Sequence, residues 1–245
     1  MIGTAAIGII CKAPRVGRSK TRLIPRLGAT LAAELSACFL RDAASAIQAL
    51  PPAVCARGYA VYAPADAEAE LRALMPANFG LICHAEGAFG EVLYSAARDL
   101  LTAGHDCALL INSDSPTLPP ALLRQAIEAL RVDGDRVVFG PAADGGYYLI
   151  GLKRAHRRLF EDIKWSTDEV LATSLRRAAE IDLPVVQLAT WYDVDDAEGL
   201  RLLQTEINGG ATGFANGGAA SATRAFLAAL DERAPSAGSG ARAHD

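Results

Sequence analysis

Short apolar runs alternate with amphipathic helical patterns along most of this chain, and that alternation restricts the possible folds more than any other feature. Strands that alternate with helices need crossover connections, so we predict a three-layer α/β/α sandwich of the GT-A, Rossmann-like kind around a mainly parallel, mixed sheet. Strands are predicted at 5–11, 59–62, 81–83, 107–112, 136–139, 147–152 and 185–188. Helices are predicted at 31–50, 66–74, 89–101, 120–130, 169–179 and 197–206. Ligands of such sheets bind beyond the carboxyl ends of the strands, so those loops are where a site is expected.

The chain is expected to hold one large domain followed by a tail. Its 245 residues suffice for one domain with a substantial core, which we place at residues 1–207. Two later stretches, 208–222 and 235–245, are rich in small residues, mainly glycine, alanine and serine. We therefore expect 208–245 to be flexible, apart from a short helix near 223–233.

Charge, hydropathy and cysteine usage exclude several classes of protein. A formal net charge of −4 is unfavourable for non-specific nucleic-acid binding. No apolar run reaches the roughly 18–20 residues that cross a bilayer, and residues 2–11 resemble a buried strand rather than a signal peptide. The five cysteines are scattered without a Cys-x-x-Cys pair, as in reduced cytosolic proteins. We expect a cytoplasmic protein without an obligate protein partner.

The loop after the first strand is strongly basic. Six of its fifteen residues from 12 to 26 are Lys or Arg and none is acidic. A glycine between a strand and a helix permits close backbone approach, and the cations supply charge, so the loop suits a polyphosphate. A solvated basic loop is the alternative, and the spacing is not that of a Walker A motif. The predicted nucleotide-binding residues are Lys12, Pro14, Arg15, Gly17, Lys20, Thr21 and Arg22.

Carboxylates follow two other strands. Asp114 comes just after the strand 107–112 and could hold a magnesium ion that bridges phosphate oxygens, although a turn-forming role is equally compatible with its neighbours. Asp193 and Asp195 alternate after the last strand, so one of them could complete a metal site with Asp114. Asp196 is better explained as a helix cap.

Two further segments are candidates for the acceptor site. Asp144, Gly145 and Gly146 lie between two predicted strands, and Tyr147 begins the second of them; the glycines allow a sharp turn or close approach to a ligand. A tight hairpin turn is the alternative explanation. Trp165, Ser166 and Thr167 precede a predicted helix, which the two hydroxyl residues could instead cap.

Taken in order, these segments resemble a bacterial family of glycosyltransferase-like proteins in the GT-A, nucleotide-diphospho-sugar transferase superfamily. The first loop is also similar to that of 2-phospholactate guanylyltransferase. The motifs are Lys12-x-Pro14-x-x-Gly17-x-x-Lys20-Thr21-Arg22-Leu23, Ser113-Asp114-Ser115-Pro116, Gly140-Pro141-x-x-Asp144-Gly145-Gly146-Tyr147-Tyr148, Trp165-Ser166-Thr167 and Asp193-Val194-Asp195.

The resemblance implies a GT-A sheet, a nucleotide at the first loop, and a metal ion held by Asp114 with a later aspartate. Asp195 matches the position of that second ligand, although Asp196 replaces the threonine that usually follows it. The first loop also lacks the doubled glycine common in the superfamily, which leaves more of the phosphate binding to basic side chains.

Nucleotidyl transfer is the leading hypothesis for the reaction. A phosphorylated or carboxylated small acceptor would attack the α-phosphorus of a nucleoside triphosphate and release pyrophosphate, with Mg²⁺ or Mn²⁺ as cofactor. Lys20, Arg22 and Asp114 would be the catalytic residues. Glycosyl transfer from a nucleotide sugar is the alternative, but Asn112-Ser113-Asp114 is one carboxylate short of the usual Asp-x-Asp. A non-catalytic nucleotide-binding module is the third possibility.

Overall fold

The computed structural model describes residues 3–84 and 87–233, and a seven-stranded sheet lies at its centre. The strands follow the spatial order β3-β2-β1-β4-β6-β5-β7, and β6 alone runs antiparallel to its neighbours. Their bounds are β1 Ala5–Cys11, β2 Ala56–Tyr62, β3 Gly80–Cys83, β4 Cys107–Ile111, β5 Val137–Pro141, β6 Tyr147–Leu152 and β7 Val185–Gln187. The predicted mainly parallel, mixed sheet is confirmed.

Each predicted helix is present, because each has a clear apolar face at helical spacing. The helices are α1 Ile24–Leu27, α2 Ala29–Gln48, α3 Glu68–Leu74, α4 Phe89–Thr102, α5 Pro120–Arg131, α6 Val170–Glu180, α7 Ala197–Ile207 and α8 Ser221–Arg233. The four-residue helix α1 was not predicted. It lies at the end of the basic loop, where no apolar period marks a helix.

The sheet separates two apolar cores, which makes the sandwich three-layered. On one face, Ile9 and Leu109 belong to a cluster with Phe39 of α2 and Leu123 of α5. On the other face, Leu110 belongs to a cluster that includes side chains of α4 and α6. Burying apolar surface on both faces explains why the central strands are continuous apolar runs.

The register of the strands brings the loops of the predicted site together. Ile111 at the end of β4 pairs with Ile9 of β1 on one side and with Leu149 of β6 on the other. Gly140 near the end of β5 also pairs with Leu149. The loops that follow β1, β4 and β5 therefore lie along one edge of the sheet, about 4.8 Å apart for each strand crossed.

The helix expected near 223–233 is observed as α8, and it packs against α2. The carboxylate of Asp42, which is 3% exposed, accepts hydrogen bonds from the backbone N–H groups of Ala222 at 2.9 Å and Thr223 at 2.8 Å. This part of the expected flexible tail is thus attached to the domain, because a buried side chain caps its helix. Residues 234–245 lie outside the described residues.

No helix within residues 3–84 and 87–233 combines the length and the apolar character needed to cross a membrane.

Candidate active site

A cleft of about 1300 Å³ opens along the edge of the sheet where β1, β4 and β5 end. Fourteen of the predicted site residues line it, and they come from all five motif segments. These residues are Lys12, Arg15, Lys20, Thr21, Arg22, Asp114, Asp144, Gly146, Tyr147, Trp165, Ser166, Thr167, Asp193 and Asp195. Pro14, Gly17 and Gly145 are not among the lining residues of the described chain.

Lys20 joins the two carboxylates expected to hold a metal ion. Its Nζ lies 2.7 Å from Asp114 Oδ1 and 2.9 Å from Asp195 Oδ1, and it donates a third hydrogen bond to the carbonyl oxygen of Val194 at 2.7 Å. The backbone reinforces this junction, because Val194 N–H donates to the carbonyl oxygen of Asp114 at 2.8 Å. An ammonium group has three protons, and all three have an acceptor here.

The surroundings keep Lys20 charged and fixed. Its side chain is 6% exposed, and its Nζ lies 5.2 Å from the ring centroid of Phe39. Burial alone lowers the pKa of Lys20, but the charges of Asp114 and Asp195 outweigh it, so the pKa is raised above its ordinary value. The backbone of Lys20 is left-handed, with φ of 47°, a strained conformation for a residue with a side chain.

Asp193 also lines the cleft and has an unusual acidity. Burial raises its pKa to about 6, with further contributions from the negative charges of Asp144, Asp195 and Asp114. This cleft therefore concentrates negative charge on the side of the sheet that carries β4, β5 and β6.

Several backbone N–H groups of the first loop form hydrogen bonds within the loop itself. Ser19 Oγ accepts a hydrogen bond from Arg15 N–H at 2.9 Å, and Arg18 N–H and Ser19 N–H both donate to the carbonyl oxygen of Arg15. These three amides are therefore occupied within the loop. The close backbone approach that the glycine of this loop was expected to permit therefore does not make these three N–H groups available to a phosphate.

The side chain of Arg15 is also occupied. It contacts Glu70 Oε1 at 2.6 Å and Asp66 Oδ1 at 3.2 Å, and so connects the loop to the segment around α3. Arg15 was predicted to bind the nucleotide because it lies in the basic loop, and its acidic partners, far along the chain, give no local signal in the sequence. Its guanidinium is a partly buried link between these two segments, and the residue also borders the cleft.

Three basic side chains of the first loop face the cleft without an ion pair among the described residues: Lys12, Arg18 and Arg22. Arg18 was not singled out as a binding residue, although the same basic count that identified the loop included it. These cations are the groups of the loop that remain available for an anionic ligand.

The glycine-rich segment is both a hairpin and part of the site. It connects the antiparallel neighbours β5 and β6, and Asp144 Oδ1 accepts a hydrogen bond from Gly146 N–H at 2.8 Å. Gly145 has φ of +89°, and a Cβ there would lie 2.2 Å from the carbonyl oxygen of Asp168. Gly145 is thus required by the docking of the hairpin against residue 168, while Asp144, Gly146 and Tyr147 border the cleft.

Aromatic side chains form the far end of the cleft. Trp165 contacts Phe89 edge-on, with ring centroids 5.0 Å apart, and its ring lies 6.4 Å from that of Tyr147. Phe89 was missed by the sequence analysis because it reads as an ordinary residue at the start of a helix. The informative property is its 46% exposure, which only the structure reveals.

The two hydroxyl residues after Trp165 do not cap α6. The helix begins at Val170 and has no side-chain cap, whereas Thr167 Oγ1 donates to the carbonyl oxygen of Lys164 at 2.8 Å. The cap expected of Asp196 is confirmed, because its Oδ1 accepts from Glu198 N–H and Gly199 N–H, each at 2.9 Å.

The donor set at Asp114 and Asp195 fits a hard divalent cation. Two carboxylates already converge on one positive group, and Mg²⁺ commonly uses one or two protein carboxylates together with substrate phosphates. The described residues contain no group of three or more His, Cys, Asp or Glu side chains arranged for a metal ion. Any metal at this pair would therefore need oxygen ligands from a substrate or water.

Sequence and structure comparisons relate this chain to known proteins. The profile of a family described as "Uncharacterized protein conserved in bacteria (DUF2064)" matches residues 34–167, more than half of the chain. A solved structure from Desulfovibrio desulfuricans G20, named a "putative nucleotide-diphospho-sugar transferase", is 28% identical in sequence. The two structures superpose with a TM-score of 0.81 over 94% of this chain and 96% of that one.

More distant structures share the fold. The complex of CMP:2-keto-3-deoxy-manno-octonic acid synthetase with CTP has a TM-score of 0.54 at 12% identity, covering 84% of this chain and 99% of that one. A cytidylyltransferase from Leptospira borgpetersenii serovar Hardjo-bovis (strain JB197) has a TM-score of 0.54 at 11% identity, covering 94% and 95%. No curated protein matches the sequence. These comparisons give no specific support to the similarity with 2-phospholactate guanylyltransferase.

Proposed function

This chain belongs to the DUF2064 family of bacterial proteins, and we propose that it is a metal-dependent, nucleotide-binding transferase whose reaction is nucleotidyl transfer. One observation carries the proposal: Asp114 and Asp195 converge within 3 Å of one cation in a cleft that is also bordered by Lys12, Arg18 and Arg22, which form no ion pair with the described residues. Carboxylates for a metal next to free cations for phosphates form the combination that a nucleoside triphosphate needs.

Asp114 and Asp195 would hold Mg²⁺ or Mn²⁺. When bound, such an ion neutralises negative charge on phosphate oxygens. The carboxylates are prepared for a cation, because Lys20 Nζ and the hydrogen bond from Val194 N–H to the carbonyl of Asp114 hold them at one point.

The first loop would bind the phosphates through Lys12, Arg18 and Arg22. Lys20 was expected to be a nucleotide-binding and catalytic residue, but its three protons are directed at Asp114, Asp195 and Val194. We therefore assign it a positioning role. Arg22 remains a proposed nucleotide-binding and catalytic residue, because no ion pair occupies it within the described part of the chain.

In the reaction, an oxygen of a small acceptor attacks the α-phosphorus of a nucleoside triphosphate. A new bond forms between that oxygen and the phosphorus, and the bond to the oxygen that bridges the α- and β-phosphates breaks. Pyrophosphate leaves with the electron pair of the broken bond. The cleft then stabilises charge and orients the reactants, and no side-chain nucleophile is required. Burial and Asp114 raise the pKa of the neighbouring Cys11 to about 12, so this thiol stays protonated.

Glycosyl transfer is the second candidate. It is favoured by the similarity to the Desulfovibrio structure named for nucleotide-diphospho-sugar transfer. Against it, the residue two positions before Asp114 is Asn112, whose Oδ1 accepts a hydrogen bond from Asp114 N–H at 3.3 Å. Asn112 thus supports the turn and supplies no second carboxylate.

The test measures product release from two series of donors. Each nucleoside triphosphate is incubated with the protein, Mg²⁺ or Mn²⁺ and a panel of small acceptors, and pyrophosphate is assayed. In parallel, nucleotide sugars are assayed for release of nucleoside diphosphate. Pyrophosphate release supports nucleotidyl transfer, release from the sugar series alone replaces it with glycosyl transfer, and release from neither rejects both reactions for the acceptors tested.

Variants show whether the cleft is responsible. Asp114→Asn and Asp195→Asn are expected to abolish turnover while the protein stays folded. Asp133→Asn is the matched control, because Asp133 is an exposed carboxylate just before β5, at the opposite edge of the sheet. Retained turnover in Asp114→Asn would contradict the assignment of the site, and metal-dependent nucleotide binding without turnover would favour a non-catalytic module.

A further inference from the structure

The charges of the cleft are divided between its two ends. Among the described lining residues, every Lys and Arg comes from the first loop, between residues 12 and 22. The side of the cleft formed by the β5–β6 hairpin and the residues after Trp165 contributes Asp144 and Asp168 and no basic side chain. We call the part lined by Phe89, Tyr147, Trp165, Asp144 and Asp168 the aromatic end.

The division follows from the order of the strands. The first loop follows β1, and the hairpin joins β5 to β6, which is two strands away along the sheet. Two strand spacings amount to about 10 Å. A phosphate chain bound by the cations of the first loop is therefore separated from the aromatic end by Asp114 and the central part of the cleft.

The aromatic end is poorly suited to an anion. Its carboxylates would repel a second negative charge, and its side chains offer no cation in compensation. The exposed hydroxyls of Ser166 and Thr167, together with the carboxylates, can instead exchange hydrogen bonds with hydroxyl groups. Phe89 and Trp165 add an apolar surface that a flat, partly apolar ring can cover.

We infer that the acceptor places an uncharged, polyhydroxylated ring at the aromatic end, with one face of the ring against Trp165 and Phe89. The inference rests on the proposed function, because it specifies the acceptor of the same cleft. If the acceptor also carries a phosphate or carboxylate, that anionic group lies toward the first loop. The phosphate or carboxylate expected of the acceptor is thus assigned to the end of the acceptor that reacts, near the first loop, and not to the ring.

Three pyranoside probes that share one ring test the charge preference: methyl glucoside is neutral, methyl glucuronide carries a carboxylate, and methyl glucosaminide carries an ammonium group. Binding to the full chain is followed by tryptophan fluorescence without any nucleotide, so the result does not depend on turnover. The chain has two tryptophans, and Trp191 is 1% exposed, so a ligand in the cleft reports through Trp165.

The neutral glucoside is expected to change the fluorescence, and the glucuronide to bind at least about tenfold more weakly. Trp165→Phe removes the signal and leaves Trp191 as the reference. In the double variant Asp144→Asn/Asp168→Asn, the affinity for the glucuronide should approach that for the glucoside. In the wild type, high salt should reduce the difference between the two affinities.

Other results overturn the inference. Equal or tighter binding of the glucuronide would show that the aromatic end accepts anions, and about tenfold tighter binding of the glucosaminide would assign it to cations. A lack of response to all three probes would remove the polyhydroxylated ring as its occupant. None of these outcomes affects the donor assay, so failure of this inference and failure of nucleotidyl transfer are distinguishable.

Discussion

Lys20 Nζ lies 2.7 Å from Asp114 Oδ1 and connects the loop after β1 with the loop after β4. The same ammonium contacts Asp195, so one buried cation holds three segments of the cleft together. Removing it would leave two carboxylates facing each other with no positive charge between them. A group of this kind stabilises the site before any ligand binds.

Lys20→Met is therefore expected to lower the free energy of unfolding by about 1–3 kcal/mol in the presence of EDTA. The value is moderate because Asp114 and Asp195 remain partly exposed, at 34% and 46%. The stabilisation produced by Mg²⁺ should be larger in the variant than in the wild type, because a metal ion then relieves the repulsion between the carboxylates. Thermal unfolding with EDTA and with Mg²⁺ measures both effects.

Lys12→Met is the control for Lys20→Met, since Lys12 is an exposed cation of the same loop without an ion pair in the part of the chain described. It should unfold at nearly the wild-type temperature under both conditions. A Lys20→Met protein as stable as this control in EDTA would contradict the role given to Lys20.

Asp193 provides a test by pH. Its pKa is raised to about 6 from an ordinary 3.8, so the folded state binds its proton more tightly than the unfolded state does. Ionising Asp193 therefore costs more free energy in the folded state than in the unfolded state, which destabilises the fold. This destabilisation is absent at pH values where both states are protonated, grows between pH 4 and 6, and is complete above pH 6. Asp193→Asn removes it and should stabilise the protein at neutral pH by on the order of 1 kcal/mol, because the side chain is partly exposed.

Urea unfolding of the wild type and Asp193→Asn, in EDTA at a series of pH values, measures this difference. The advantage of the variant should disappear as the pH falls toward the ordinary pKa of aspartate. An advantage that stays constant across the series would show that Asp193 is not the titrating group. Asp133→Asn, at an exposed position, is measured in the same series as the matched control.

The fold could be predicted from the sequence because its signals are local. Apolar periodicity located the strands and all helices but α1, and Asp196 was recognisable as a cap from the helix that follows it. The partner of a charged side chain cannot be predicted from such local signals. Arg15 has the same sequence context whether it contacts a phosphate or Glu70, and only the tertiary structure brings α3 next to it.

The site was predicted in part for the same reason. Loops at the ends of parallel strands converge by topology, so the sequence could pair Asp114 with Asp193 or Asp195, and the family resemblance then implied Asp195. The bridging position of Lys20 and the exposure of Phe89 depend on how side chains pack across separate elements. No local pattern records either property.

The attachment of α8 depends on Asp42. Asp42→Ala removes the acceptor for two backbone N–H groups at the start of the helix and should lower the free energy of unfolding by about 2–3 kcal/mol. Asp42→Asn retains one side-chain oxygen as an acceptor, so the loss should be smaller. Hydrogen exchange at the amides of α8 should accelerate in the order wild type, Asp42→Asn, Asp42→Ala. Unchanged exchange in Asp42→Ala would contradict the capping role.

Substitution of two glycines with positive φ distinguishes the cost of backbone strain from the cost of a steric clash. Gly17 has φ of +75° with nothing within 4 Å of a built Cβ, whereas at Gly145, with φ of +89°, that Cβ would lie 2.2 Å from the carbonyl oxygen of Asp168. Gly17→Ala should cost only the left-handed strain, about 1 kcal/mol. Gly145→Ala carries the same strain and also forces the hairpin away from residue 168, so we expect a loss of about 2–4 kcal/mol. Urea midpoints of the two variants give the comparison, and equal midpoints would show that the hairpin moves without cost.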